Sequence, residues 1–142
     1  MRRLAAGFTL LELLVVVSII AIASAGVAFA LRDTAGAPLE RDAQRLAALL
    51  ESARARSRLT GQPVRWIASE TGFRFEGLPR DALPEQWLAA DTRVAGRGVL
   101  VLGPEPVIGA QAVDLTSAER PDRVIRIATD GIRPFTVAAG QP

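Results

Sequence analysis

Gly7-Phe8-Thr9-Leu10-Leu11-Glu12-Leu13-Leu14-Val15-Val16-Val17 decides how this chain is read. Ahead of it lies a short leader carrying Arg2 and Arg3. Behind it the apolar run continues to Leu31, and Glu12 is its only charge. Phe8 to Leu31 is long enough to span a bilayer, for which about 20 apolar residues suffice. A carboxylate inside such a run is costly: insertion scales place an acidic residue at mid-bilayer at roughly +2.5 to +3.5 kcal/mol. A group kept at that cost calls for a partner. The candidate is the α-amine that a cut after Gly7 would create on Phe8. Arg2 and Arg3 precede the run, while Arg32 and Asp33 follow it and cancel. The positive-inside rule therefore holds the leader in the cytoplasm and sends the remainder across the membrane. An uncut signal anchor is one competing reading. A conventional signal peptide is another, since Ala23-Ser24-Ala25 and Ala28-Phe29-Ala30 both fit a small-x-small cleavage site. Against it, the apolar stretch exceeds the usual ~7–15 residues of such a segment and encloses Glu12.

The stretch Gly7-Phe8-Thr9-Leu10-Leu11-Glu12 closely resembles the class III leader of type IV pilins and type II secretion pseudopilins. In that family a membrane-embedded prepilin peptidase cuts after the glycine and methylates the new N-terminal Phe. The resemblance thus implies Gly7 and Phe8 as the processing site, with N-methylation of Phe8. It also implies Glu12 as the assembly residue, pairing with a neighbouring subunit's methylated Phe8 amine. The closing Ile125-Arg126-Ile127-Ala128-Thr129-Asp130-Gly131-Ile132-Arg133-Pro134-Phe135-Thr136-Val137 is similar to the C-terminal hairpin of the minor pseudopilin of the H type. That implies a non-enzymatic structural subunit at the tip of a type II secretion pseudopilus, which helps export folded proteins across the outer membrane. Its partners would be other major and minor pseudopilins, the prepilin peptidase, the inner-membrane assembly platform, and a secretin with its secreted substrates. Its place would be the bacterial inner membrane, single-pass, with the C-terminal domain in the periplasm, and the pseudopilus after assembly.

A type IV pilus minor pilin of the DNA-uptake kind shares leader and fold. Such proteins tend to carry an Arg-rich C-terminal motif. Here Arg120, Arg123, Arg126 and Arg133 are spread out, and the tail Ala138 to Pro142 is neutral. A third class, a periplasmic binding protein freed by signal peptidase, follows from the rival cleavage sites.

Composition narrows the chemistry. The 142 residues allow one ordinary domain, of which roughly a hundred remain for a core once the apolar segment is set aside. Seventeen basic residues face fifteen acidic ones, and the excess of two equals Arg2 plus Arg3. Every basic residue is Arg, so the high pI reflects arginine and not a basic surface, and bulk binding to nucleic acid is not expected. Cys, His, Tyr and Lys are all absent. Ser-His-Asp, Cys-His, Ser-Lys, histidine-zinc and thiolate-metal sites are therefore impossible within this chain. No catalytic residue, cofactor or metal is expected.

The chain divides into a leader (1–7), a transmembrane or filament-core helix (8–31), a linker and amphipathic helix (32–61) and a β-rich domain (62–142). Asp33 to Pro38 interrupts the helical pattern, and Pro38 is expected to kink a helix or begin a new one. Leu39, Ala43, Leu46, Leu50, Ala53 and Ser57 then recur at steps of four and three, which line one helix face. Glu40 and Asp42 near the start, and Arg54, Arg56 and Arg58 near the end, complement the helix dipole. The arginines read as a solvated helix end, closed by a left-handed Gly61. After Gly61 the period changes to two. Val64, Trp66 and Ala68, a turn at Glu70-Thr71-Gly72, and Phe73-Arg74-Phe75 predict a hairpin. Leu78 to Ala90 reads as an irregular crossover anchored by Trp87. Val94, Val99 to Leu102, Val107-Ile108 and Val113 to Leu115 are strand candidates. Asp130-Gly131 predicts a turn between Val124–Ala128 and Phe135–Ala138. Helix first and short antiparallel strands afterwards make the expected class α+β, pilin-like.

Three constellations invite a functional reading and are set against simpler ones. Asp81 and Glu85 could pair as acid and base or hold calcium, but Pro79 and Pro84 make a regular helix there doubtful. Asp130-Gly131 resembles a fragment of a calcium loop without its other ligands, and a turn accounts for it. Phe73, Phe75 and Phe135 with Arg74 imitate a base-stacking platform, yet aromatics alternating along strands belong to a core.

Overall fold

The computed structural model describes residues 9–138, and for 28–36 the backbone alone. Gly7, Phe8 and the rest of the leader lie outside the described residues, as do the last four. The chain forms two compact units, Met1–Gly36 and Ala37–Pro142. A single helical assignment, α1 (Leu10–Thr60), runs through both.

In the first unit, Leu10–Val27 has a mean hydropathy of 2.5 and is long and apolar enough to cross a membrane. Every side chain of that stretch is exposed, Leu10 at 81% and Ile22 at 74%. The expected break at Asp33 to Pro38 is not seen, because this backbone is helical and Pro38 lies inside α1. Proline in a helix interior deletes one hydrogen bond and crowds the preceding turn, at about 3 kcal/mol. The apolar face beyond it offsets that cost, since tertiary burial outweighs local propensity. Arg41 Nε also donates to the Ala37 carbonyl at 3.1 Å, bracing the first turn after the proline.

In the second unit the expected helix face is the centre of the core. Leu39, Ala43, Leu46, Leu50, Ala53 and Ser57 are all buried. Gly61 ends the helix with φ +66°, a conformation open to glycine at no steric cost. Seven strands follow: β1 (Arg65–Ala68), β2 (Phe73–Glu76), β3 (Thr92–Ala95), β4 (Val99–Val101), β5 (Gln111–Ser117), β6 (Val124–Thr129) and β7 (Thr136–Ala138). They form two antiparallel sheets, ordered β2-β1-β4 and β3-β5-β6-β7. The inward residues alternate as the sequence period requires. Val64, Trp66, Phe73, Phe75 and Leu100 come from the first sheet and its lead-in, and Val113, Leu115, Ile125 and Ile127 from the second. Each large aliphatic side chain so buried contributes about 1.5–3 kcal/mol.

The fold class is therefore α+β with an apolar N-terminal helix, as expected. Trp87 does anchor the crossover, its ring centroid 4.6 Å from that of Phe73. Val107-Ile108 is not a strand. The Ile108 N–H is instead held by the Gly131 carbonyl at 3.3 Å, which seats the connection between β4 and β5 on the β6–β7 turn.

Candidate functional site

The first candidate is the start of α1. Thr9 is its N-cap: the Glu12 N–H donates to Thr9 Oγ1 at 3.2 Å and the Leu13 N–H to the Thr9 carbonyl at 3.1 Å. Glu12 thus sits three residues past the cap, within the first turn, where a carboxylate faces the positive end of the helix dipole. Its neighbours Leu11 and Leu13 are 73% and 59% exposed. The result is one acidic group on an otherwise apolar, outward-facing helical surface. The Thr-x-x-Glu spacing that announces this cap is present in the sequence, but the leader reading alone does not use it.

The charged residues of the second unit mostly hold the fold. Asp42, expected to complement the helix dipole, and Arg54, expected at a solvated helix end, are both 1% exposed. The Asp42 carboxylate accepts from the Leu88 N–H (2.8 Å), the Ala89 N–H (3.1 Å) and the Thr92 hydroxyl (2.8 Å). It fastens the end of the crossover and the start of β3 to α1. Arg54 donates to the carbonyls of Gly131 (2.6 Å), Arg133 (3.2 Å) and Pro106 (3.4 Å), so the expectation of a solvated arginine fails there. The Glu51 carboxylate lies 3.6 Å from it and accepts the Phe135 N–H at 2.9 Å. Arg56 is exposed, and Arg58 is too, although it donates to the Pro106 carbonyl at 3.1 Å. Periodicity places Arg54 one position beside the apolar stripe, and nothing in the spacing shows that carbonyls await it.

Asp81 and Glu85 do not form an acid–base pair. Glu85 Oε1 accepts the Phe75 N–H at 3.2 Å, and Asp81 is an exposed residue with φ +62°. Among the described residues no group of three or more potential ligands could hold a metal ion. Asp130 accepts from the Ile132 and Arg133 N–H groups at 2.9 and 2.7 Å, and these bonds hold its carboxyl below the ordinary value. It is a turn, as the second reading had it. Phe73, Phe75 and Phe135 are buried and offer no stacking face. Three of the four C-terminal arginines have an acidic partner: Arg123 lies 3.7 Å from Glu40, Arg133 3.6 Å from Asp130, and Arg126 is bound twice to Asp114 at 2.8 Å. The Arg126 hydrogen bonds lower the Asp114 pKa against a smaller opposing effect of burial.

Comparison with known proteins bears on the N-terminus alone. Residues 2–28 match the family model of the prokaryotic N-terminal methylation motif. No curated protein and no solved structure matches the chain. A leader of this class implies processing by a prepilin peptidase and assembly with other pilin-like subunits in a membrane. The chain carries the class III leader of type IV pilin-like proteins, and directly behind it one apolar helix fit to be a single-pass anchor.

Proposed function

We propose that this chain is a minor pseudopilin of the H type, a non-enzymatic structural subunit at the tip of a type II secretion pseudopilus. The observation that carries the reading is Glu12, a single carboxylate one turn inside an exposed apolar helix, behind a methylation-motif leader. Cleavage between Gly7 and Phe8 would free an amine that becomes N-methylated. In a filament core of low dielectric, pairing of that amine with a neighbour's Glu12 is worth far more than in water. The anchor sits in the inner membrane and the β-rich domain in the periplasm. Before assembly the partners are the prepilin peptidase and the assembly platform. Afterwards they are other pseudopilins, with the secretin and its substrates at the outer end. Against the DNA-uptake alternative, three of the four C-terminal arginines, Arg123, Arg126 and Arg133, each have an acidic neighbour.

The test is intact mass and N-terminal sequencing of membrane-extracted protein. The mature chain is expected to begin at Phe8 with one added methyl group, and Gly7→Val to block the cut by placing a side chain in the peptidase cleft. A mature chain beginning at Gly26 or Leu31 would establish the signal-peptide reading. Deletion of the gene separates the finer alternatives, since a secretion defect supports the pseudopilin and an isolated loss of DNA uptake supports the pilus subunit.

A further inference from the structure

The three-stranded sheet has two edges, one covered by the main chain and side chain of Glu85 and the other by a side chain alone. On one edge the Phe73 N–H donates to the Glu85 carbonyl at 3.1 Å and the Phe75 N–H to Glu85 Oε1 at 3.2 Å. The other edge is β4. There the Leu102 N–H to Val64 carbonyl bond (2.9 Å), the Ala68 N–H to Gly98 carbonyl bond (2.7 Å) and the Trp66–Leu100 register turn Gly98, Leu100 and Leu102 toward β1. The main-chain groups of Val99 and Val101 therefore point away from the sheet, as alternation in an antiparallel pair requires.

Both outward groups of Val101 are taken by one side chain. The Val101 N–H donates to Gln111 Oε1 at 2.7 Å, and Gln111 Nε2 donates to the Val101 carbonyl at 2.8 Å. A glutamine amide here reproduces the donor–acceptor pair that a neighbouring strand would offer. The strand it caps is hazardous. Gly98-Val99-Leu100-Val101-Leu102 has no charge and no proline, is rich in β-branched and aliphatic residues, and leaves Val99 and Val101 at 38% and 47% exposure. Such an edge is a template for pairing with its own copy.

We infer that Gln111 is an autoinhibitory plug that keeps β4 from pairing with the β4 of a second copy of this chain. The second copy is the occupant excluded because the segment is self-complementary: an antiparallel partner of the same sequence meets valine with valine and no charge with no charge. Subunits concentrated in one membrane before assembly would otherwise meet edge to edge. The inference rests on the fold of the second unit and stands whether or not the chain serves secretion.

The experiment is amide hydrogen exchange and sedimentation of the full chain in detergent micelles, wild type against Gln111→Ala. At dilutions where the protein is monomeric, exchange at the Val101 amide should rise roughly tenfold, the worth of about one net hydrogen bond. A concentration-dependent dimer should appear that wild type lacks. Adding Val99→Lys to Gln111→Ala should restore the monomer while Val101 still exchanges fast, because an edge lysine blocks pairing. The inference is overturned by a Gln111→Ala protein that stays monomeric or by a dimer that survives Val99→Lys. Exchange that rises throughout the second unit also overturns it, since Gln111 would then be holding the fold and not guarding an edge.

Discussion

Replacing Arg54 with Ala tests whether the second unit is held together as described. The guanidinium is 1% exposed and donates to three carbonyls on two connections distant in sequence, Pro106 on one and Gly131 and Arg133 on the other. Truncation removes the buried 2.6 Å bond to the Gly131 carbonyl, which keeps only the Ile108 N–H at 3.3 Å, and a hydrogen bond to a charged group is worth about 1.5–3 kcal/mol. It also leaves Glu51 without its cation, although the Phe135 N–H remains to it. Removing one partner of a buried ion pair costs about 3–5 kcal/mol. Glu51 is partly solvated, so the lower end, near 3 kcal/mol, is expected. For a domain of this size each kcal/mol moves the melting temperature by about 4–8 °C. The assay is thermal unfolding of the full chain in detergent, followed by near-ultraviolet circular dichroism of Trp66 and Trp87, which both lie in the second unit. Arg56→Ala is the control, because Arg56 is exposed two positions away and should shift stability by no more than about 0.5 kcal/mol. Arg54→Lys should fall between the two, since a point charge cannot fork to three carbonyls. An Arg54→Ala melt that coincides with that of Arg56→Ala would refute the account of Arg54 as a buried clamp.

Three further outcomes are expected. Glu12→Ala should leave processing and membrane fractionation intact while weakening crosslinks to other pilin-like subunits and, with them, secretion; equal crosslinking in mutant and wild type would sink the assembly role. Leu50→Asp puts an unpaired carboxylate at a fully buried position and should cost several kcal/mol, read as a lowered melting temperature, whereas unchanged melting would count against the helix-on-sheet core. Asp114 has a folded pKa below its unfolded value, so its contribution is complete above the ordinary carboxylate range and is lost as pH falls through the lowered folded value. Asp114→Asn should therefore lower stability near neutrality and flatten part of the acid limb, with mutant and wild type converging at low pH, and an unchanged acid limb would show that the Arg126 pair is idle.

What periodicity can reveal and what it cannot separate cleanly along α1. A stripe at steps of three and four is a statement about where apolar surface must go, and Leu39, Ala43, Leu46, Leu50, Ala53 and Ser57 go there. The strands are legible for the same reason, because alternation commits Trp66, Phe75, Leu115 and Ile127 to one face. Charged residues carry no such commitment. Asp42 and Arg54 look like any acid near a helix start and any base near its end, and the dipole argument satisfied both. They are buried because loops from elsewhere in the chain bring donors and carbonyls to them, and that is set by long-range pairing that no local pattern encodes. Val107-Ile108 fails in the opposite sense. It has strand composition, but Pro104 and Pro106 limit its donors and the Gly131 carbonyl takes the N–H of Ile108.

The same distinction governs the site at the head of α1. Residues 7–12 make the leader readable at sight, because a peptidase recognises a short linear stretch and not a fold. Yet Thr9 and Glu12 also form a helix cap, and a cap accounts for an acidic residue at this position without any neighbour. The two accounts diverge in what they require of the rest of the run. A cap is indifferent to whether the following turn is polar or apolar. An intermolecular pair needs its carboxylate carried into a low-dielectric environment, and the largely apolar stretch Leu10–Val27 around Glu12 supplies one. Thr9→Val separates them: it removes the cap acceptor and leaves the Glu12 charge in place. If the cap is the whole reason for Glu12, Thr9→Val and Glu12→Ala should weaken assembly alike. If Glu12 serves a neighbour, Thr9→Val should fray the first turn by about 1 kcal/mol and leave crosslinking largely intact.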